Sequence, residues 1–146
     1  MSAAGQKPEF RISRVFDAPR SLVFEAWSKA EYLSRWFTPA PLTTPTCEVD
    51  FRAGGAFRVV MRMPNGAEHP MNASFVEIVP EERIVWRAII DGDLEVLTTV
   101  TFADEGDKTR LDAHQVYSYE SPSTRGADAG WTLTLDQLAA HLRSRA

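Results

Sequence analysis

One cysteine, Cys47, occurs among the 146 residues. That excludes an internal disulfide and any multi-cysteine metal site, and it fits a reducing compartment. The three histidines, His69, His114 and His141, lack ligand-like spacing, so no metal site is expected. Lysines and arginines are not clustered. The formal net charge is -4, and basic residues stand singly, as at Arg52, Arg58 and Arg62, so nucleic acid is not an expected partner. No apolar stretch is long enough to cross a bilayer, and "MSAAGQKPEF" lacks the apolar run of a signal peptide. A cytoplasmic chain without membrane insertion is expected. There is no Gly-x-Ser-x-Gly elbow, and "AGGAF" lacks the helix and lysine that would make it a phosphate loop. No cofactor is implied.

What is present suits an ordinary folded domain. Hydrophobic residues make up 44% and charged residues 25%. No repeat, low-complexity tract or linker divides the chain. The sequence predicts a loose tail over 1–8 and a single domain over 9–146.

"EFRISRVF" (9–16) alternates as a strand, and "DAP" ends it. Pro19 suits the first turn of a helix. "RSLVFEAWS" (20–28) and "KAEYLSRWF" (29–37) each carry one apolar helical face. "TPAPLTTP" stops helicity. From about 46 to 118 six strands follow, among them "CEVDF", "GAFRVVMRM", "HPMNASFVEIV", "RIVWRAII", "LEVLTTVTF" and "TRLDAHQVYSY". A long amphipathic helix is expected over 123–144, with Trp131, Leu135, Leu138, Ala139 and Leu142 at helical spacing. This order, β-α-α-β6-α, predicts an α+β fold: a curved seven-stranded antiparallel sheet around a long C-terminal helix. One helix cannot cover the whole concave face, so a cavity is expected.

Alternation proposes the wall of that cavity: Phe57, Val59, Met61, Met63, Met71, Phe75, Trp86, Leu97 and Trp131, with Tyr117 and Tyr119 adding polar tips. Methionine adapts its shape and aromatic rings stack, so such a wall suits an apolar or aromatic small molecule. The competing reading is that these residues simply pack on the helix. His114 shares its strand face with Arg110, Asp112 and Val116, which favours a solvent-facing strip over a ligand anchor. Glu68 and His69 point to opposite faces and follow a turn, so they read as exposed and unable to cooperate. His141 lies where a cation favours a helix C-terminus and reads as surface. Cys47 reads as a small apolar residue rather than a reactive one.

"FDAPRSLVFEAWSKAEYLSRWFTP" resembles the opening of the START-like, or SRPBCC, superfamily, most closely the branch named for the activator homologue of the heat-shock protein 90 ATPase. The matching residues are Ala18-Pro19, Trp27 and Trp36-Phe37-Thr38-Pro39. Gly54-Gly55, "FVEIVPEERIVW", "TTVTF", "DKTRL" and "GWTLTLDQLAAHL" follow in the family's order, so the likeness spans about 9–143. The resemblance implies the helix-grip fold of the birch-pollen-allergen type. It implies that Trp27, Trp36 and Pro39 lock the helix pair and that Gly54-Gly55 permit a sharp turn. Ala73 departs from a glycine common in the family and would narrow the pocket.

Function stays open among three readings. The first is binding of a hydrophobic or aromatic small molecule. The second is a cyclase- or hydrolase-like enzyme acting on such a ligand, with Glu95, His114, Tyr117 and Tyr119 as the available titratable groups. The third is a co-chaperone-like protein-binding module. In the family that the chain resembles, eukaryotic activators carry a further N-terminal domain; this sequence is read as the C-terminal type of domain only, so chaperone binding is expected last. A homodimer through an exposed strand edge is compatible with all three.

Overall fold

The computed structural model of the chain describes residues 7–90 and 92–145. Of the tail expected over 1–8, residues 1–6 lie outside the described residues; the Pro8 carbonyl accepts the Tyr117 N–H at 2.9 Å. The elements are β1 (Glu9–Phe16), α1 (Arg20–Glu25), α2 (Ala30–Trp36), β2 (Thr43–Val49), β3 (Ala56–Arg62), β4 (Glu68–Val79), β5 (Arg83–Ile90), β6 (Leu94–Glu105), β7 (Lys108–Tyr117), α3 (Pro122–Arg125) and α4 (Ala127–Arg145). One antiparallel sheet holds all seven strands in the order β1-β7-β6-β5-β4-β3-β2. Its two edges, β1 and β2, are the strands that α1 and α2 connect. Among the described residues no helix is long and apolar enough to cross a membrane.

Two elements differ from the sequence expectation. β2 starts at Thr43, inside the proline-rich stretch, and its pairing is irregular between Thr43 and Thr46. Pro45 lies in that irregularity; an edge strand tolerates the missing N–H because only one side needs a ladder. The final helix is divided. Ser121 caps the short α3 with a reciprocal hydrogen-bond pair to Thr124, and Gly126 ends it before α4 begins.

The concave face is filled at one end by aromatic rings. The Trp27 and Trp36 rings meet edge-on at 4.7 Å, and Phe37 packs against Phe57 at 5.5 Å. Phe57 stacks on Phe75 at 5.1 Å and meets Trp86 edge-on at 5.3 Å. The Trp36 Nε1–H donates to the Ala26 carbonyl at 3.0 Å, which ties α2 to the end of α1. Gln137 fixes α4 over this wedge. Its Nε2 donates to the carbonyls of Trp36 and Thr38, both at 2.8 Å, and its Oε1 accepts the Ala40 N–H at 2.8 Å. The long helix is thus anchored at its middle above the aromatic end.

His141, expected at the surface, is buried at 7% exposure. The reason is its side of the helix: α4 packs on α2 there, and the imidazole lies 5.5 Å from the Tyr32 ring. Burial, and the nearby Arg145 and Arg35 cations, lower its proton affinity below the ordinary value of 6.5. The unfolded chain therefore holds this proton more tightly than the folded one. Its contribution to stability is complete above pH 6.5 and is lost as pH falls toward the lower folded value. Urea melts at about pH 8 and about pH 5 should show the wild type losing more stability on acidification than His141→Gln, whose side chain does not titrate.

Candidate functional site

Away from the aromatic wedge the sheet and α4 diverge. A cavity of about 670 Å³ opens between them, within the range of small-molecule sites. The register explains its floor. Opposed residues of an antiparallel pair face the same side. Trp86 opposes Thr98, which opposes Gln115; Ala88 opposes Val96, which opposes Tyr117. These two rows cross the middle of β5, the start of β6 and the end of β7. The mouth is formed by the β3–β4 hairpin, where Met61 opposes His69 and Met63 lies just beyond. The roof is the first two turns of α4: Ala127, Gly130, Trp131 and Thr134, at the i, i+3, i+4, i+7 spacing of one helical face.

Of the residues expected to form the wall, Met61, Met63, Met71, Trp86, Tyr117 and Trp131 line the cavity. Phe57, Val59 and Phe75 do not. They face the concave side, but the helix pair covers that end, and they are packed into the core at 1%, 1% and 3% exposure. Leu97 is also corrected. It opposes Arg87 and Val116 on the convex face, and its neighbours Val96 and Thr98 face inward. Tyr119 lies past the end of β7, exposed, with its hydroxyl donating to Asp93 at 2.5 Å. Ala73 faces inward beside Ala88 and packs on the core without lining the cavity.

The titratable candidates divide sharply. Glu95 is exposed and lies 3.6 Å from Arg87, and the His114 ring meets Glu9 at 2.7 Å on the convex face. Only Tyr117 of the four faces the cavity. Burial pushes its hydroxyl up to about 12, so it stays protonated at neutral pH. His69, placed by the sequence among exposed residues, is exposed and also stands at the mouth, its Nε2 3.2 Å from the Met63 sulfur. The signal that finds it is the hairpin register opposite Met61. Among the described residues no Lys, Arg, Asp or Glu lines the cavity. Cys47 is half-buried opposite Val59 on the neighbouring strand, and burial raises its thiol.

The apolar floor is interrupted by one polar row that the sequence reading missed. The Tyr117 hydroxyl donates to Gln115 Oε1, and Gln115 Nε2 donates to Thr98 Oγ1 at 3.0 Å. Thr98 is buried at 0% exposure, Tyr117 at 4%, and Gln115 is half-buried. Alternation from Tyr117 already puts Gln115 on the inward face. Among the described residues no group of three or more His, Cys, Asp or Glu is gathered as a metal site.

A family model described as Activator of Hsp90 ATPase homolog 1-like protein matches residues 17–143. Several solved bacterial structures have the same shape. A protein from Chromobacterium violaceum is 27% identical with a TM-score of 0.86, covering 92% of this chain and 96% of that one. One from Nitrosomonas europaea is 26% identical with a TM-score of 0.80, covering 94% and 95%. The Mll3558 protein from Rhizobium loti is 30% identical with a TM-score of 0.75, covering 91% and 95%. No curated protein matches the chain.

Proposed function

The chain belongs to the Activator of Hsp90 ATPase homolog 1-like family of the START-like superfamily, and from that premise we propose that it binds a neutral, largely apolar small molecule between its sheet and α4. The observation that carries this reading is the 670 Å³ cavity, whose described lining holds no Lys, Arg, Asp or Glu. A charged ligand entering it would shed water and meet no counter-ion among the described lining residues, which is strongly unfavourable. A neutral ring system would lose little and gain contact with Trp86 and Trp131. The flexible thioethers of Met61, Met63 and Met71 let the mouth adjust to more than one outline. Tyr117, protonated at neutral pH, is a hydrogen-bond donor there and not a base, which supports binding ahead of catalysis.

Calorimetric titration with paired neutral and charged compounds of one ring size tests this. Naphthalene derivatives bearing ethyl, carboxylate or ammonium groups suffice. The neutral member should bind one per chain with a negative heat-capacity change, since apolar surface is buried. Equal binding of all three, or binding by none, would remove the reading.

A further inference from the structure

The polar row on the cavity floor sets a further requirement on the guest, and it rests on the binding reading above. We infer that Gln115 is the recognition residue of the cavity and that the ligand carries a hydrogen-bond acceptor oxygen, as in a ketone, ester or amide carbonyl. Gln115 lies between two buried hydroxyls. Tyr117 donates to its carbonyl oxygen, and its nitrogen donates to Thr98 at 3.0 Å. A primary amide has two N–H donors. One is used by Thr98; among the described contacts the other has no acceptor. Turning the amide over does not change this. Nε2 would then donate to Tyr117, and Oε1 would accept from Thr98, leaving one N–H unused again.

The spare donor is the requirement this floor sets on a guest. An apolar guest that covers Gln115 without offering an acceptor would strip water from that N–H and replace it with nothing, whereas a carbonyl oxygen would take the water's place. Of the three members, Thr98 and Tyr117 are the more deeply buried, and Gln115 is the half-buried one that lines the open space. Thr98 and Tyr117 are therefore positioning residues. They hold the amide so that its donor need not be ordered when the ligand arrives, which preserves affinity. The acceptor would lie on the floor, with the apolar body of the ligand against Trp86 below and Trp131 above, its far end at the methionines.

The test compares 2-acetylnaphthalene with 2-ethylnaphthalene, which differ at one oxygen, by calorimetry on the full chain. The quantity read is the ratio of their affinities, so general hydrophobicity cancels between variants. Gln115→Met removes the donor at similar volume and should lower the ketone's relative affinity by about fivefold. Binding of the hydrocarbon, unchanged within about twofold, certifies that the variant is folded with its cavity intact. Thr98→Val should lower the ratio by a smaller factor, because the amide is freed but not removed, and Thr98→Ser should restore it. An unchanged ratio in Gln115→Met overturns the assignment while leaving the cavity reading standing. Failure of the wild type to bind either compound overturns both.

Discussion

Gly55→Ala is expected to lose more stability than alanine at any other described glycine. A Cβ at Gly55 would stand 1.9 Å from the Asp50 carbonyl oxygen, 2.9 Å from its carbon and 3.0 Å from the Arg52 oxygen. All three are backbone atoms, so no side chain can rotate away. The corner itself cannot shift cheaply. Asp50 N–H donates to the Ala56 carbonyl at 2.8 Å, Gly55 N–H to Arg52 at 2.8 Å, Gly54 N–H to Phe75 at 2.8 Å, and Phe75 N–H to Gly55 at 2.9 Å. Moving it would displace the stacked Phe57 and Phe75 rings on either side. The expected loss is about 3 kcal/mol or more, a large fraction of a domain's margin. Gly54→Ala is the control. It has open space at its Cβ but a φ of +83°, so it should cost only about 1 kcal/mol. Urea midpoints of the two variants decide the matter; a Gly55→Ala loss no greater than that of Gly54→Ala contradicts this view of the corner.

Gly130→Leu is expected to do the reverse to stability while weakening binding. Gly130 is inside α4, and a Cβ there meets nothing within 4 Å. Replacing a helical glycine by leucine favours the helix by about 0.5–1 kcal/mol. The new side chain also buries apolar surface, because Gly130 shares its face with Ala127, Trp131 and Thr134 over the cavity. The same isobutyl group then occupies space the ligand needs. Affinity for 2-ethylnaphthalene should fall by at least about tenfold as thermal stability rises. A stabilised variant that still binds as the wild type does would place the guest outside the cavity.

The sheet was legible because its strands are short β-branched and aromatic runs with partial alternation, bounded by turn residues. "EFRISRVF" and "RIVWRAII" are β1 and β5 residue for residue. Alternation also carries its own correction at β6. Leu94, Val96 and Leu97 are all apolar, so hydrophobicity alone leaves the phase ambiguous, but Glu95 shares Leu97's side and marks it as outward. Depth along the sheet is another matter. Phe57 and Met61 share one face of β3, yet one is sealed beneath Phe37 and the other opens on the cavity. That difference depends on where α1 and α2 settle, which no local pattern encodes. His141 was misplaced for the same reason: its helix position is local information, and the α2 surface opposite it is not. Gln115 is not legible as part of an apolar wall, because a single amide among Leu111, Ala113 and Tyr117 breaks that pattern.

The central claim is that a guest occupies the space between sheet and α4. It is tested most directly by the methyl spectrum of protein labelled at methionine with carbon-13, recorded during titration with 2-acetylnaphthalene. Met61, Met63 and Met71 surround the mouth, so ring-current shifts on all three methyl signals, saturating together at one equivalent, are the predicted result. Saturable binding with those three signals unmoved would contradict it.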